Sequence, residues 1–98
     1  MNLQESRKKI DSIDEQIVTL LNRRAAEAKQ IGRVKAAAGL PFVDDQRETE
    51  IYRRITAENY GQIENDALVR IFEQIVRESR RIQFEISSEI KHDVEVAK

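Results

Sequence analysis

The sequence predicts an all-α chain of three helices, one long, one short and one of medium length, paired with a second copy of itself. Three observations lead there. Only 3 Gly and 1 Pro punctuate 98 residues, too few for the turns of a small β-sandwich or barrel. The proline and two of the glycines fall at Gly39-Leu40-Pro41 and Asn59-Tyr60-Gly61, which divide the chain into three segments. Within each segment apolar residues recur at helical spacings of three and four.

The first segment, from about Leu3 to Ala38, carries Ile10, Ile17, Ile31 and Ala38 on one seven-residue register, with Arg24 in the same series. Ile13, Leu20 and Val34 occupy the companion register, and Leu21 and Ala28 widen the stripe. A helix of this length is a rod of roughly 50 Å. A compact domain of this size has a radius of gyration of only ~13 Å, so two shorter helices do not cover the rod. An uncovered apolar stripe marks a partner surface, and a second, antiparallel copy of the chain is the economical occupant.

The second segment opens at Asp44-Asp45-Gln46-Arg47-Glu48, where Asp45 and Glu48 have capping-box spacing, and shows one apolar face in Ile51, Tyr52 and Ile55 before stopping near Asn59. The third follows a cap at Asn65 or Asp66 and carries Leu68, Ile71, Phe72, Ile75, Val76, Ile82, Ile86 and Ile90. Ser79 and Gln83 interrupt that stripe one turn apart. The polar tail from about Lys91 is expected to fray.

Composition excludes several chemistries. With no Cys and a single His, His92, the chain has no disulfide, thiolate metal site, Cys nucleophile, His-based triad or multi-His zinc site. Its 17 basic and 18 acidic residues balance to −1, which gives no reason to expect nucleic acid. No apolar run approaches a membrane span and the polar start has no signal-peptide character, so the expectation is a soluble cytoplasmic protein. A chain this short also fits as one domain of a longer fusion.

Function should surface as polar residues where the pattern wants apolar ones. Arg24 sits in the seam of the first helix. Lys35, eleven residues on, projects the same way about 16 Å along the axis, a spacing from which two long cations bracket a small anion. Ser79 and Gln83 project together from the third helix, and Arg47 and Glu48 stand at the head of the second beside its free N–H groups. Each has a plainer reading: Arg24 as a register device or snorkelling rim residue, Lys35 as a helix-end cation, Ser79 as a packing residue, Gln83 as a satisfied polar group. Asp44, Asp45 and Glu48 read most simply as caps, and Arg77, Arg80 and Arg81 as a solvated face. Coincidence favours a ligand, because several unpaired polar groups buried together cost several kcal/mol unless something satisfies them. Arg7 lies about 25 Å before Arg24 on the same rod and cannot reach the same small ligand from its own chain, whereas the Arg7 of an antiparallel partner can.

These residues fall in a recognisable order. Arg7-Lys8-Lys9-Ile10-Asp11-Ser12-Ile13-Asp14, Leu20-Leu21-Asn22-Arg23-Arg24 and Ile31-Gly32-Arg33-Val34-Lys35 are followed by Pro41-Phe42-Val43-Asp44-Asp45-Gln46-Arg47-Glu48 and Ser79-Arg80-Arg81-Ile82-Gln83. Each piece is a short helical fragment of low specificity, but the five in order resemble the all-helical (AroQ-type) chorismate mutases from about Ser6 to Gln83. The resemblance implies an intertwined homodimer of three-helix chains that converts chorismate to prephenate in phenylalanine and tyrosine biosynthesis, without cofactor or metal. It implies that Arg7 enters the pocket from the other protomer and that Arg24 binds a substrate carboxylate. Lys35 and Gln83 would donate to the ether oxygen of the breaking C–O bond, and Ser79 would help hold a carboxylate. Asp44, Arg47 and Glu48 match the loop-and-helix group that receives the ring hydroxyl through the Asp backbone and the Glu carboxylate. Arg77, Arg80 and Arg81 have no counterpart in the motif and no role follows for them.

The implied reaction suits a site without His or Cys, since an intramolecular [3,3] rearrangement needs orientation and charge stabilisation, not a base or nucleophile. The related isochorismate pyruvate lyases share the helical dimer and a similar Arg/Lys pocket; the Asp44…Arg47-Glu48 group leans toward the mutase. A non-catalytic helical dimerisation or regulatory module is the third reading.

Overall fold

A computed structural model describes residues 2–97, with side chains through residue 90. It contains α1 (Leu3–Ala38), α2 (Asp45–Ala57) and α3 (Asn65–Ala97) in the predicted order; α3, at 33 residues against the 36 of α1, is a second long helix rather than one of medium length. The Asn2 side chain caps α1 by accepting from the Glu5 N–H at 2.9 Å. Gly39 ends the helix in the left-handed conformation at φ 67°, which a residue without a Cβ adopts freely, and its N–H returns to the Lys35 carbonyl. The Leu40 N–H reaches the same carbonyl at 2.9 Å. This double closure turns the chain sharply toward α2.

Two caps differ from expectation. The N-cap of α2 is Asp44, whose Oδ1 accepts from the Arg47 N–H at 3.0 Å. Asp45 is instead the first helical residue, so the capping box read from Asp45 and Glu48 does not form. Its geometric reason is that Glu48 is engaged across the fold by α3. Asn65 likewise opens α3 rather than preceding it, and its Oδ1 accepts from Asn59 Nδ2 at 2.8 Å, bracing the α2–α3 connection. The backbone of α3 stays helical past Lys91, where fraying was expected, to Ala97; the side chains of that stretch, His92 included, lie outside the described residues.

α3 packs against both other helices, while α1 and α2 make no close backbone approach to each other. The core lies between α2 and α3, where Ile51, Ile55 and Val76 are buried and Tyr52, Leu68 and Phe72 pack around them. α1 contributes little to it. Its buried residues are Ala28 and Gly32, whereas Ile10, Ile13, Ile17, Leu20, Ile31 and Val34 remain 45–56% exposed. The resulting shape measures 64 × 28 × 15 Å with a radius of gyration of 17.6 Å, against ~13 Å for a compact chain of this length. The stripe predicted to exceed its own chain's cover is therefore uncovered in the single chain. Among the described residues no helix is long and apolar enough to cross a membrane.

Candidate active site

At Gly32, α1 lies directly against the backbone of α3. A Cβ there would lie 2.9 Å from both the Cα and the carbonyl oxygen of Gln83 and would collide with the Ile86 side chain. The two backbones are in contact, and one turn further on the polar side chains meet. Lys35 Nζ donates to Gln83 Oε1 at 2.9 Å and to the Phe42 carbonyl at 3.0 Å. The Phe42 ring rests edge-on against Phe84, centroids 5.9 Å apart and planes 77° apart, which ties the α1–α2 loop to α3. Lys35 thus has two of its three N–H donors engaged by fixed acceptors. Gln83, which is buried, has its amide turned so that Nε2 keeps its donors available.

About three turns back from Lys35, toward the middle of α1, Arg24 Nη1 donates to Ser79 Oγ, and Ser79 in turn donates to the Ile75 carbonyl at 3.0 Å. Arg24 is half-buried. Burial first, and then the positive charges of Arg47 and Arg54, lower its pKa from the ordinary guanidinium value. Among the described residues no carboxylate lies within 4 Å of Arg24 or Lys35. Two cations face the same space without a counter-ion.

α2 forms the opposite wall. Asp44, Arg47 and Glu48 all border the space; Arg47 makes a long, exposed pair with Glu50 at 3.7 Å. Glu48 accepts from Arg80 through both oxygens, from Nε at 2.8 Å and from Nη2 at 2.6 Å. Together α1, the loop, α2 and α3 enclose a cleft of about 350 Å³, bordered by Arg24, Lys35, Asp44, Arg47, Glu48, Ser79 and Gln83. Seven of the eight residues singled out in the sequence converge on it. Arg7 does not border it, in keeping with its distance along α1.

Two sequence readings require correction. Arg80, read as part of a solvated face, borders the cleft and forms a bidentate ion pair with Glu48. Periodicity had no access to this, since the partner is 32 residues away on another helix. Arg81, by contrast, does lie on an exposed face, pairing with Glu78 at 3.0 Å. The second correction concerns unpaired polar groups. Among the described residues no buried side-chain N or O lacks a partner, because Arg24 with Ser79 and Lys35 with Gln83 satisfy one another across the α1–α3 seam. What calls for a ligand is uncompensated charge, not unmade hydrogen bonds. Gly32 is a further residue whose part the sequence reading passed over. A lone Gly inside a helical pattern was its visible signal.

Fold and cleft define a class: an all-helical domain, uncovered along its longest helix, holding a cation-bearing cleft of the size that takes one small molecule. The chain belongs to the chorismate mutase type II family, which it matches over residues 6–84. It is 46% identical over 78 residues to a bifunctional chorismate mutase/prephenate dehydratase of Aquifex aeolicus, a match that spans 76% of this chain but 22% of that protein. It is 35% identical over 83 residues to a chorismate mutase of Methanocaldococcus jannaschii, spanning 83% of each. The structure of chorismate mutase (form II) from Thermus thermophilus superposes with a TM-score of 0.81 at 32% identity, over 83% of this chain and 92% of that one.

Proposed function

We propose that the cleft catalyses the rearrangement of chorismate to prephenate, in a homodimer in which each site is completed by Arg7 of the partner subunit. The observation that carries this reading is the convergence of Lys35 and Gln83 on one wall of a cleft that also holds the uncompensated Arg24. The substrate is a dicarboxylate whose enolpyruvyl arm must fold over its ring before C–C bond formation can accompany C–O cleavage. Arg24, backed by Ser79, takes one carboxylate, and Arg7 of the partner subunit takes the other, which supplies orientation within one molecule. As the C–O bond lengthens, negative charge grows on the ether oxygen. The remaining Lys35 N–H and the Gln83 amide N–H groups receive that charge. Phe42 and the α1–α3 contact hold both donors, so little reorganisation is needed at the moment of reaction. Glu48 and the Asp44 backbone meet the ring hydroxyl. No base, nucleophile, metal or cofactor enters the sequence of events.

The dimer follows from the same physics as the fold. Ile10, Ile13, Ile17 and Leu20 are about half exposed in the single chain, and a side chain of this kind contributes ~1.5–3 kcal/mol when fully buried. An antiparallel second α1 covers them and brings Arg7 to the far cleft. Incubation with chorismate, following prephenate, tests the activity. A parallel incubation with isochorismate, following salicylate, distinguishes the lyase, and failure of both substrates overturns the reading.

A further inference from the structure

The Arg80–Glu48 pair joins Glu48, to which the proposed reaction gives a part, to Arg80, to which it gives none. It crosses from α3 to α2, is bidentate, and joins a Glu48 side chain only 16% exposed to an Arg80 side chain 42% exposed. An ionised carboxylate has about four lone-pair sites. Arg80 occupies one on each oxygen, fixing the plane of the group and leaving the others for a further donor. The charge matters as much as the geometry. A carboxylate so poorly hydrated, standing alone in the wall of a cleft that takes a dicarboxylate, would repel the substrate. Joined to a guanidinium, it keeps its capacity to accept and loses its net charge. Asp45 and Tyr52 also face Arg80, and hydrogen bonding to Glu48 is the leading cause that raises the Arg80 pKa above its ordinary value.

We propose that Arg80 is a positioning residue for specificity: it holds Glu48 as an oriented, charge-compensated acceptor that selects cleft ligands bearing a ring hydroxyl. This rests on the mutase reading, because it takes a ring hydroxyl to be what Glu48 meets. Arg80 itself need not touch the ligand.

The test uses two bicyclic dicarboxylate transition-state analogues, identical except that one has the ring hydroxyl and the other lacks it. Affinity for each is measured by calorimetry on the wild type, R80M, R80K and the E48Q and E48Q/R80M pair. The wild type should prefer the hydroxylated analogue by roughly ten- to hundredfold, the worth of one hydrogen bond to a charged group. R80M should weaken both analogues through the repulsion of an uncompensated Glu48, and the hydroxylated one further, so that most of that preference is lost; R80K should regain only part of it, since a point charge does not reproduce the fork. In the E48Q background, R80M should change the preference no further. Equal weakening of both analogues by R80M makes Arg80 a general cleft or structural residue and overturns the proposal; unchanged affinity for both does the same. Urea unfolding of R80M alone separates damage to the fold from damage to selection. A wild type that binds neither analogue overturns the mutase reading itself, and one that binds both equally overturns the part given to Glu48.

Discussion

Replacing Gly32 with Ala probes the point where α1 lies against the backbone of α3. The new Cβ would stand 2.9 Å from two backbone atoms of Gln83 and would also strike Ile86. The Ile86 side chain can rotate away, but the Gln83 backbone is held by its own helix. Relief therefore requires α1 and α3 to separate by about half an ångström, the shortfall from ordinary contact distance. Overpacking of this kind costs about 1–3 kcal/mol, offset by the ~1 kcal/mol that Ala gains over Gly inside a helix. Net destabilisation should be modest, about 0–2 kcal/mol by urea titration. The effect on catalysis should be larger. Lys35 and Gln83 meet one turn from the wedge, and a misplacement of this order at a reacting centre costs up to ~100-fold. Prephenate formation by G32A should fall at least tenfold under conditions where the variant is fully folded. Wild-type kcat/KM in a stably folded G32A would refute the claim that the α1–α3 contact sets the geometry of the donors.

Four further outcomes are expected. Lys35→Ala should lose about 100- to 1000-fold in kcat with its helical circular dichroism intact, as one donor to a developing charge is removed. Arg24→Met should abolish saturable binding of a dicarboxylate analogue, yet stabilise the ligand-free protein by up to ~1 kcal/mol, because a half-buried cation with neighbouring Arg47 and Arg54 leaves a site still screened by solvent; thermal melting with and without analogue reads both. Arg7→Ala and Lys35→Ala chains, each inactive alone, should recover about a quarter of wild-type activity when unfolded and refolded as an equal mixture, since half the dimers are mixed and one of their two sites is whole. Activity that stays absent in the mixture, with mixed dimers present, places Arg7 outside the site. Finally, a dicarboxylate analogue at 100 times its Kd should raise the unfolding free energy by ~2.7 kcal/mol, and no shift would mean no specific binding to the native cleft.

Much of this was legible before any coordinates. Helical period, sparse Gly and Pro, and the αL-prone Gly39 are local properties, and they marked every helix bound but the far end of α3 to within a few residues. Arg24, Ser79 and Gln83 were visible as interruptions of apolar stripes, and the length of α1 against its neighbours foretold an uncovered face. Misreadings clustered where a side chain chooses between partners. Glu48 has the chemistry for a capping box, but a guanidinium on α3 offers two charge-assisted bonds where a cap offers one. Asp44 caps the helix instead.

Sequence alone determined the three helices, the excess length of the first and three of the cations that border the cleft, Arg24, Lys35 and Arg47, because period and spacing are written along a single chain. The tertiary structure decided the pairings: Arg24 with Ser79, Lys35 with Gln83, Arg80 with Glu48, and Gly32 against the Gln83 backbone. These depend on how far apart and at what rotation two helices settle. That is fixed by the contact of whole surfaces, through a glycine small enough to let the backbones touch, and no spacing within one helix encodes it.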